Sequence, residues 1–234
     1  MNGITFNNKH SFNDFQLIFN SKKISTPSKK KIKESVPGMN SVYDFSTVAS
    51  GGEIIYDQRE IECNFTLLAN SKNELHIEMS KTAEWLQDAP QSQLIFDDIS
   101  DYYFMAELED EIEINEEQNI AEISVTFVAE PFRKGVNLVG SEAWDLFNFE
   151  EDIMQDVEFN VVVTESVTIY NPGRSVMPVV NCDAEDMSIT YHSTTYNLAV
   201  GDNELYNLKL ASGSNDITVN GTGNIKFIYR KESL

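Results

Sequence analysis

The stretch GEIIYDQREIECNFTLLA, residues 52–69, alternates along its length, and the residues after it do not. Ile55, Asp57, Arg59, Ile61, Cys63, Phe65 and Leu67 fall on one side of the alternation. Ile54, Tyr56, Gln58, Glu60, Glu62, Asn64 and Thr66 fall on the other. A period of two, with one side apolar and the other turning polar, is the pattern of a long half-buried β-strand. Asp57 and Arg59 interrupt the apolar side near its start, so that end is expected to face solvent or a partner. In SKNELHIEMSKTAEWLQDAP, residues 71–90, the period changes to that of a helix. Ser71 and Glu74 stand at capping-box spacing, Leu75, Met79, Ala83 and Leu86 share a face, and Pro90 ends the run. This is the one helix predicted in the first half, and its Met, Leu and Trp85 face reads as core.

Working outward, the first forty residues hold short apolar alternations, GITFN and FQLIFN, and then the lysine-rich SKKISTPSKKKIK. Six of the seventeen basic residues lie between Lys22 and Lys33. Two readings of this segment stand side by side. Lysines on an extended stretch are the usual protection of a solvated edge strand. In a chain this acidic, they also suit contact with the acidic surface of a neighbouring copy. Gly38 and the Gly51–Gly52 pair supply turns on either side of NSVYDFSTVA, which reads as a strand. Beyond the helix, QLIFDDISDYYFMAELED and NIAEISVTFVAEPF read as strands joined across EDEIEINEEQN, a long hairpin with a heavily charged tip.

PFRKG, residues 131–135, marks a domain boundary, giving residues 1–134 and 135–234. SEAWDLFNFEEDIMQD reads as irregular or briefly helical. From Val157 onward short strands alternate with Gly, Asn and Pro turns, the pattern of an antiparallel sandwich. The fold class is therefore mainly β with some α, a first β domain with one helix and a long hairpin followed by a β-sandwich.

A formal charge of −21 on 234 residues speaks against sequence-specific nucleic-acid binding and against an anionic membrane surface, both of which call for Lys and Arg. The acidity is shared between the halves, 12 basic against 23 acidic residues through Lys134 and 5 against 15 after it. MNGITFNNKH carries no signal-peptide pattern, and no apolar run approaches the roughly 18 residues of a membrane span, so synthesis in the cytoplasm without membrane insertion is expected. Cys63 and Cys182 are far apart and read as free buried thiols.

Standard catalytic and cofactor patterns are not met. His10, His76 and His192 stand at no metal-ligand spacing, and no nucleophile elbow, phosphate loop or dinucleotide fingerprint is present. DDISD, residues 97–101, lacks the central glycine and closing glutamate of a calcium loop and reads as a solvated turn. No metal, no cofactor and no enzymatic activity are expected. Trp85, Trp144, Tyr191 and Tyr196 are the aromatics that could stack on sugars, with core and interface as the competing uses.

The order MNGITFNNKHSFNDFQL, KKKIKESVPGMNSVYDFS, GGEIIYDQREIECNFTL, EWLQDAPQSQLIFDDISDYYFMAEL and AEISVTFVAEPF resembles the N-terminal domain of distal tail proteins of siphophages that infect Gram-positive bacteria, and of related prophages. VTIYNPGRSVMPVV and NDITVNGTGNIKFIYR are similar to the opening and closing strands of that family's galectin-like C-terminal sandwich. The resemblance implies a homo-hexameric ring of N-terminal domains at the virion tail tip, joining the tail tube to the baseplate or host-adsorption apparatus. It implies contacts with the tail tube protein, the tail-associated tip protein and the tape measure. It also implies C-terminal domains that project outward to hold receptor-binding or other baseplate proteins. The second half carries no long insertion that could serve as an added carbohydrate-binding module. The alternative function is a monomeric carbohydrate-binding module recognising host cell-wall glycans.

Within the first half, Lys29, Lys30, Lys31 and Lys33, with Tyr43, Asp44 and Phe45, are the candidate subunit contacts, because a basic, extended and aromatic stretch is ill suited to a lone surface among so many acids. A core β-strand is the competing reading for Tyr43–Phe45.

Overall fold

The computed structural model describes residues 2–48, 50–140 and 153–234, and divides into two compact units, Met1–Arg133 and Lys134–Ser233. Most of the stretch expected to be irregular or briefly helical, with Trp144, lies outside the described residues.

The first unit contains β1 (Ile4–Phe6), β2 (Lys9–His10), α1 (Ser11–Phe15), β3 (Ile18–Ile24), β4 (Lys33–Ser35), β5 (Val42–Asp44), β6 (Arg59–Leu68), α2 (Lys72–Gln87), β7 (Ser92–Phe96), β8 (Tyr102–Leu108), β9 (Glu113–Glu117) and β10 (Ile120–Ala129). The strands run in the order β2-β1-β7-β8-β10-β6-β3, with β9 also on β10. Its spine is the antiparallel pairing of β6 with β10, ten pairs from Arg59↔Ala129 to Leu68↔Ile120. Register puts Ile61, Cys63, Phe65 and Leu67 on the same face as Ala121, Ile123, Val125 and Phe127, and all eight are buried. Helix α2 closes that face with Leu75, Trp85 and Leu86. The Ser71 hydroxyl accepts from the Glu74 amide at 3.2 Å, and the Glu74 carboxylate accepts from the Asn70 amide at 2.9 Å, so the capping residues act as their spacing suggests.

Three features of this unit differ from the sequence expectation. The single helix expected is joined by a second, the short α1, and His10 explains it. The His10 Nδ1 accepts from the amides of Phe12 and Asn13, both at 3.1 Å, an N-cap made by imidazole in place of a hydroxyl or carboxylate. With Nδ1 an acceptor, Nε2 carries the proton and donates to Asp97 Oδ2 at 3.1 Å. The DDISD turn is accordingly structural as well as polar, since Asp97 also accepts from the Gly3 amide at 2.8 Å. The second part of the acidic stretch after β8 is strand β9, paired from Glu117↔Ile120 to Glu113↔Ser124, so Glu113, Glu116 and Glu117 lie along one arm of a hairpin with β10 whose tip is Gln118–Asn119. Arg59, expected towards solvent or a partner, is buried with its guanidinium 5.3 Å from the Phe104 ring centroid.

Strand β11 (Arg133–Gly135) crosses the division. The second unit contains β12 (Glu158–Val161), β13 (Thr164–Asn171), β14 (Val179–Cys182), β15 (Ser188–Tyr191), β16 (Thr194–Asn197), β17 (Gly201–Glu204), β18 (Gly213–Asn220), β19 (Gly223–Ile228) and β20 (Glu232–Ser233). Two four-stranded antiparallel sheets, β12-β19-β14-β17 and β13-β18-β15-β16, pack through Val161, Val180 and Phe227 on one side and Ile169, Ile189 and Ile217 on the other.

A small repeat underlies this sandwich. Ala199-Val200-Gly201-Asp202-Asn203 opens β17 and Ala211-Ser212-Gly213-Ser214-Asn215 opens β18, and the two asparagines make the same set of bonds. Asn203 Oδ1 accepts from the Ala199 amide while its Nδ2 lies within 3.1 Å of the carbonyls of Val180, Ala199 and Gly201. Asn215 repeats this with the Ala211 amide and the carbonyls of Ile169, Ala211 and Gly213, and adds the Tyr191 hydroxyl at 2.6 Å. Gly201 and Gly213 hold φ of 98° and 92°, a conformation a side chain resists, and each turns the chain around its asparagine.

Asn215 is buried and Asn203 half-buried. Asn215→Ala strands buried carbonyls and a tyrosine hydroxyl and should lower unfolding free energy by about 2 kcal/mol or more, against about 1 kcal/mol for Asn203→Ala, measured by urea denaturation. Cys63 and Cys182 are both buried and free, and burial pushes the Cys63 thiol up to about 12 and raises that of Cys182. Neither should react with a disulfide reagent at pH 8 until the chain is unfolded.

Candidate functional site

The antiparallel pairing of β3 with β6 does not stop where those strands end. The Ser25 amide donates to the Glu60 carbonyl at 3.0 Å, the Asp57 amide to the Ser28 carbonyl at 2.9 Å and the Lys30 amide to the Ile55 carbonyl at 2.9 Å, and Lys29 bridges Tyr56. The ribbon then continues as β4 and β5, paired Lys33↔Asp44, Glu34↔Tyr43 and Ser35↔Val42. The Phe45 amide donates to the Ile32 carbonyl at 2.8 Å and extends that register by one pair. Gly38, at φ 87°, and the Met39 amide bonded to the Val36 carbonyl close the end. The result is a two-stranded arm, and every residue from 28 to 45 on it is exposed.

The register sorts the arm into two faces. Directly paired residues share a face, so Lys33, Ser35, Val42 and Asp44 lie on one side and Ile32, Glu34, Tyr43 and Phe45 on the other. The Tyr43 and Phe45 rings lie 6.1 Å apart at 28° on the second face. On the first, Lys33 Nζ stands 3.7 Å from Asp44, whose carboxylate accepts from the Ser46 amide at 3.0 Å. Hydrogen bonding from Ser46, aided by Lys33, holds the Asp44 carboxyl below its ordinary range, so it stays charged throughout neutral pH. Lys29, Lys30, Lys31 and Lys33 border a shallow recess of about 300 Å³ with Asp44, a recess that Tyr43 and Phe45 do not line.

All seven residues singled out from the sequence thus lie on this one arm, lysines and Asp44 together, Tyr43 and Phe45 on the apolar face. The core-strand reading of Tyr43–Phe45 is not realised: Tyr43 is 51% and Phe45 43% exposed, and no core lies beneath them. Sequence reasoning missed the other exposed apolar residues of the arm, Ile32, Val36, Met39, Val48, Ile54 and Ile55. Their signal was an apolar residue repeated beside lysines in a segment with too few strands to bury it. An isolated two-stranded ribbon is marginal in water, and an exposed apolar face on one marks a contact surface.

The other candidates do not make a site. Trp85 is buried, stacked on Phe15 at 4.3 Å and donating to the Phe6 carbonyl at 3.0 Å. Tyr191 is buried and the Tyr196 hydroxyl is bonded to the Asn207 carbonyl, so these aromatics present no sugar platform. Among the described residues no three His, Cys, Asp or Glu side chains converge as a metal would require, and no helix is long and apolar enough to cross a membrane.

The family model of the phage tail protein RIFT-related domain matches residues 4–129, which take in β1 to β10, α2 and the arm. The chain belongs to this family. It is a siphophage tail protein, and its structural role places it in the virion tail. Among solved structures, the Dit protein of phage SPP1 aligns with it at a TM-score of 0.69 and 10% identity over 100% of both chains. That protein is described as a paradigm of the hub adsorption apparatus in phages infecting Gram-positive bacteria; at this identity the likeness is one of fold. No curated protein matches the chain.

Because Tyr43 and Phe45 touch no core, the tail protein carrying Tyr43→Ser and Phe45→Ser should unfold within about 0.5 kcal/mol of the unaltered chain, measured by denaturation at concentrations low enough to keep both monomeric.

Proposed function

We propose that this chain is the distal tail hub of a siphophage, and that six copies form a ring through their first units. The ring joins the tail tube to the baseplate or host-adsorption apparatus, in contact with the tail tube protein, the tape measure and the tip protein. The second units, residues 135–234, serve as galectin-like platforms for receptor-binding or other baseplate proteins. Assembly takes place in the host cytoplasm, and the chain performs no catalysis. The observation that carries this reading is the arm, an apolar and basic ribbon left uncovered by the other described residues. Family membership and the Dit-like fold support it.

A second feature fits a channel. The middle of the outward face of the β3, β6 and β10 sheet is largely polar, with Asn20 bonded to Thr66, Asn64 to Ser21 and Ser124 to Asn64, and with Glu60 and Glu62 among them. Turned inward in a ring, the carboxylates would repel DNA phosphates and let the strand slide.

The test is the solution mass of the full chain by light scattering, at low and high salt. The expected result is six times the 26.5 kDa of one chain. Raising salt to about 0.5 M should weaken the assembly, since exposed lysines act through screened fields. Replacing residues 31–54 by a short Gly-Ser linker should leave a folded monomer. A monomer at every concentration for the unaltered chain, or a hexamer that keeps its mass without the arm, overturns this reading.

A further inference from the structure

The arm leaves the first unit at the Arg59 end of β6. At the other end of that strand, about 30 Å away for ten residues, lies a second exposed apolar feature. Leu68 and Ile120 are a directly paired couple across β6 and β10, 51% and 44% exposed, on the face turned away from the core. On β6 and β10 the remainder of that face is polar except for the half-buried Val128, so the exposed pair stands out there. Beside it runs β9, paired to β10 along one edge, with Glu117 opposite Ile120, Asn115 opposite Glu122 and Glu113 opposite Ser124. By register Glu113, Glu117 and Glu122 share the face of Leu68 and Ile120. None of the three has an ion-pair partner among the described residues.

Glu116, on the opposite face of β9, makes the contrast. Lys72 Nζ reaches it at 2.9 Å and His76 Nε2 at 3.5 Å, so the chain's own helix α2 neutralises that side and leaves the other side negative. The arm has the reverse character. Lys29, Lys30 and Lys31 are exposed without an acidic partner among the described residues, on the stretch that leads into Ile32.

Resting on the ring reading, we propose that the arm of one copy seats its apolar face on the Leu68–Ile120 pair of the next copy, with its lysines meeting Glu113, Glu117 and Glu122. Donor and acceptor stand at opposite ends of β6, so the two cannot satisfy each other within one chain. The contact is heterologous, head to tail, and repeats around a closed ring. The apolar pair supplies the desolvated centre and the charges set the register.

The experiment uses two full-length variants. One is arm-dead, Tyr43→Asp with Phe45→Asp; the other is acceptor-dead, Leu68→Glu with Ile120→Glu. All four positions are solvent-exposed, and circular dichroism confirms that each variant folds. Each alone should associate at least about tenfold more weakly than the unaltered chain by light scattering, a loss that two desolvated apolar anchors can produce. Mixed in equal amounts they retain one intact interface per pair and should form dimers and nothing larger. A third variant, Glu113→Lys with Glu117→Lys and Glu122→Lys, should be weakened in the same way, and its mass should recover when Lys29, Lys30 and Lys31 are changed to Glu. A hexamer from the acceptor-dead chain, with the arm-dead chain monomeric, overturns this acceptor and leaves the ring standing. A mixture that stays monomeric overturns the head-to-tail contact. An unaltered chain that is monomeric throughout overturns both.

Discussion

The ten-pair ladder between β6 and β10 is the constraint on which the architecture of the first unit rests. Because side chains alternate with a period of two, fixing that register fixes which residues of both strands face inward, and a slip of one would carry Phe65 and Phe127 into water. Helix α2 has a place to pack because Ile61, Cys63, Phe65 and Leu67 form one continuous apolar row. The edge strand β3 takes its register from the same row, with Phe19 opposite Phe65 and, after a bulge between Phe19 and Ser21, Lys22 opposite Cys63 and Lys23 opposite Glu62.

That ladder also creates the arm. Strands β3 and β6 keep pairing after the core beneath them has ended, so the chain runs on as a ribbon that satisfies its backbone hydrogen bonds while leaving its side chains uncovered. A monomer gains nothing from placing Tyr43, Phe45 and Ile32 in water, and the local contacts that hold the arm, Asp44 to Ser46 and Lys33 to Asp44, are all exposed polar ones. Exposed ion pairs of this kind contribute little to stability. The arm is thus held in shape by backbone pairing and left for another surface to cover.

What could be read from the sequence divides along physical lines. Strand β6 and helix α2 were legible because period and capping are local, and both are written in a dozen or so consecutive residues. The second helix was not, because its cap is an imidazole whose acceptor role depends on Asp97, 87 residues away. The acids of β9 read as a hairpin tip because charge argues for a loop, whereas ladder pairing with β10 decides the matter. Arg59 read as an interruption of the apolar side, and its burial over Phe104 depends on a neighbouring strand that no local pattern names. The twin Ala-x-Gly-x-Asn turns of the sandwich are plain once Asn203 and Asn215 are seen bonding alike, yet five residues with three fixed positions are too few to stand out as a repeat. At the candidate site, composition picked out the arm, but which of its residues share a face is a property of register alone.

Charge distribution sets a further limit on how such a chain can assemble. At −21 per copy, two subunits brought together on most of their surface meet like charge with like, and the penalty grows with each copy added to a ring. The basic residues that could offset it are concentrated, six of seventeen lying between Lys22 and Lys33. Lys22 and Lys23 are already engaged by Asp98 and Glu62 of their own chain, which leaves the arm as the basic stretch available to a neighbour. A contact built on the arm therefore draws its desolvation energy from the apolar face and its direction from the lysines. In the head-to-tail ring proposed above, the direction of the contact would come from where the few positive charges were placed.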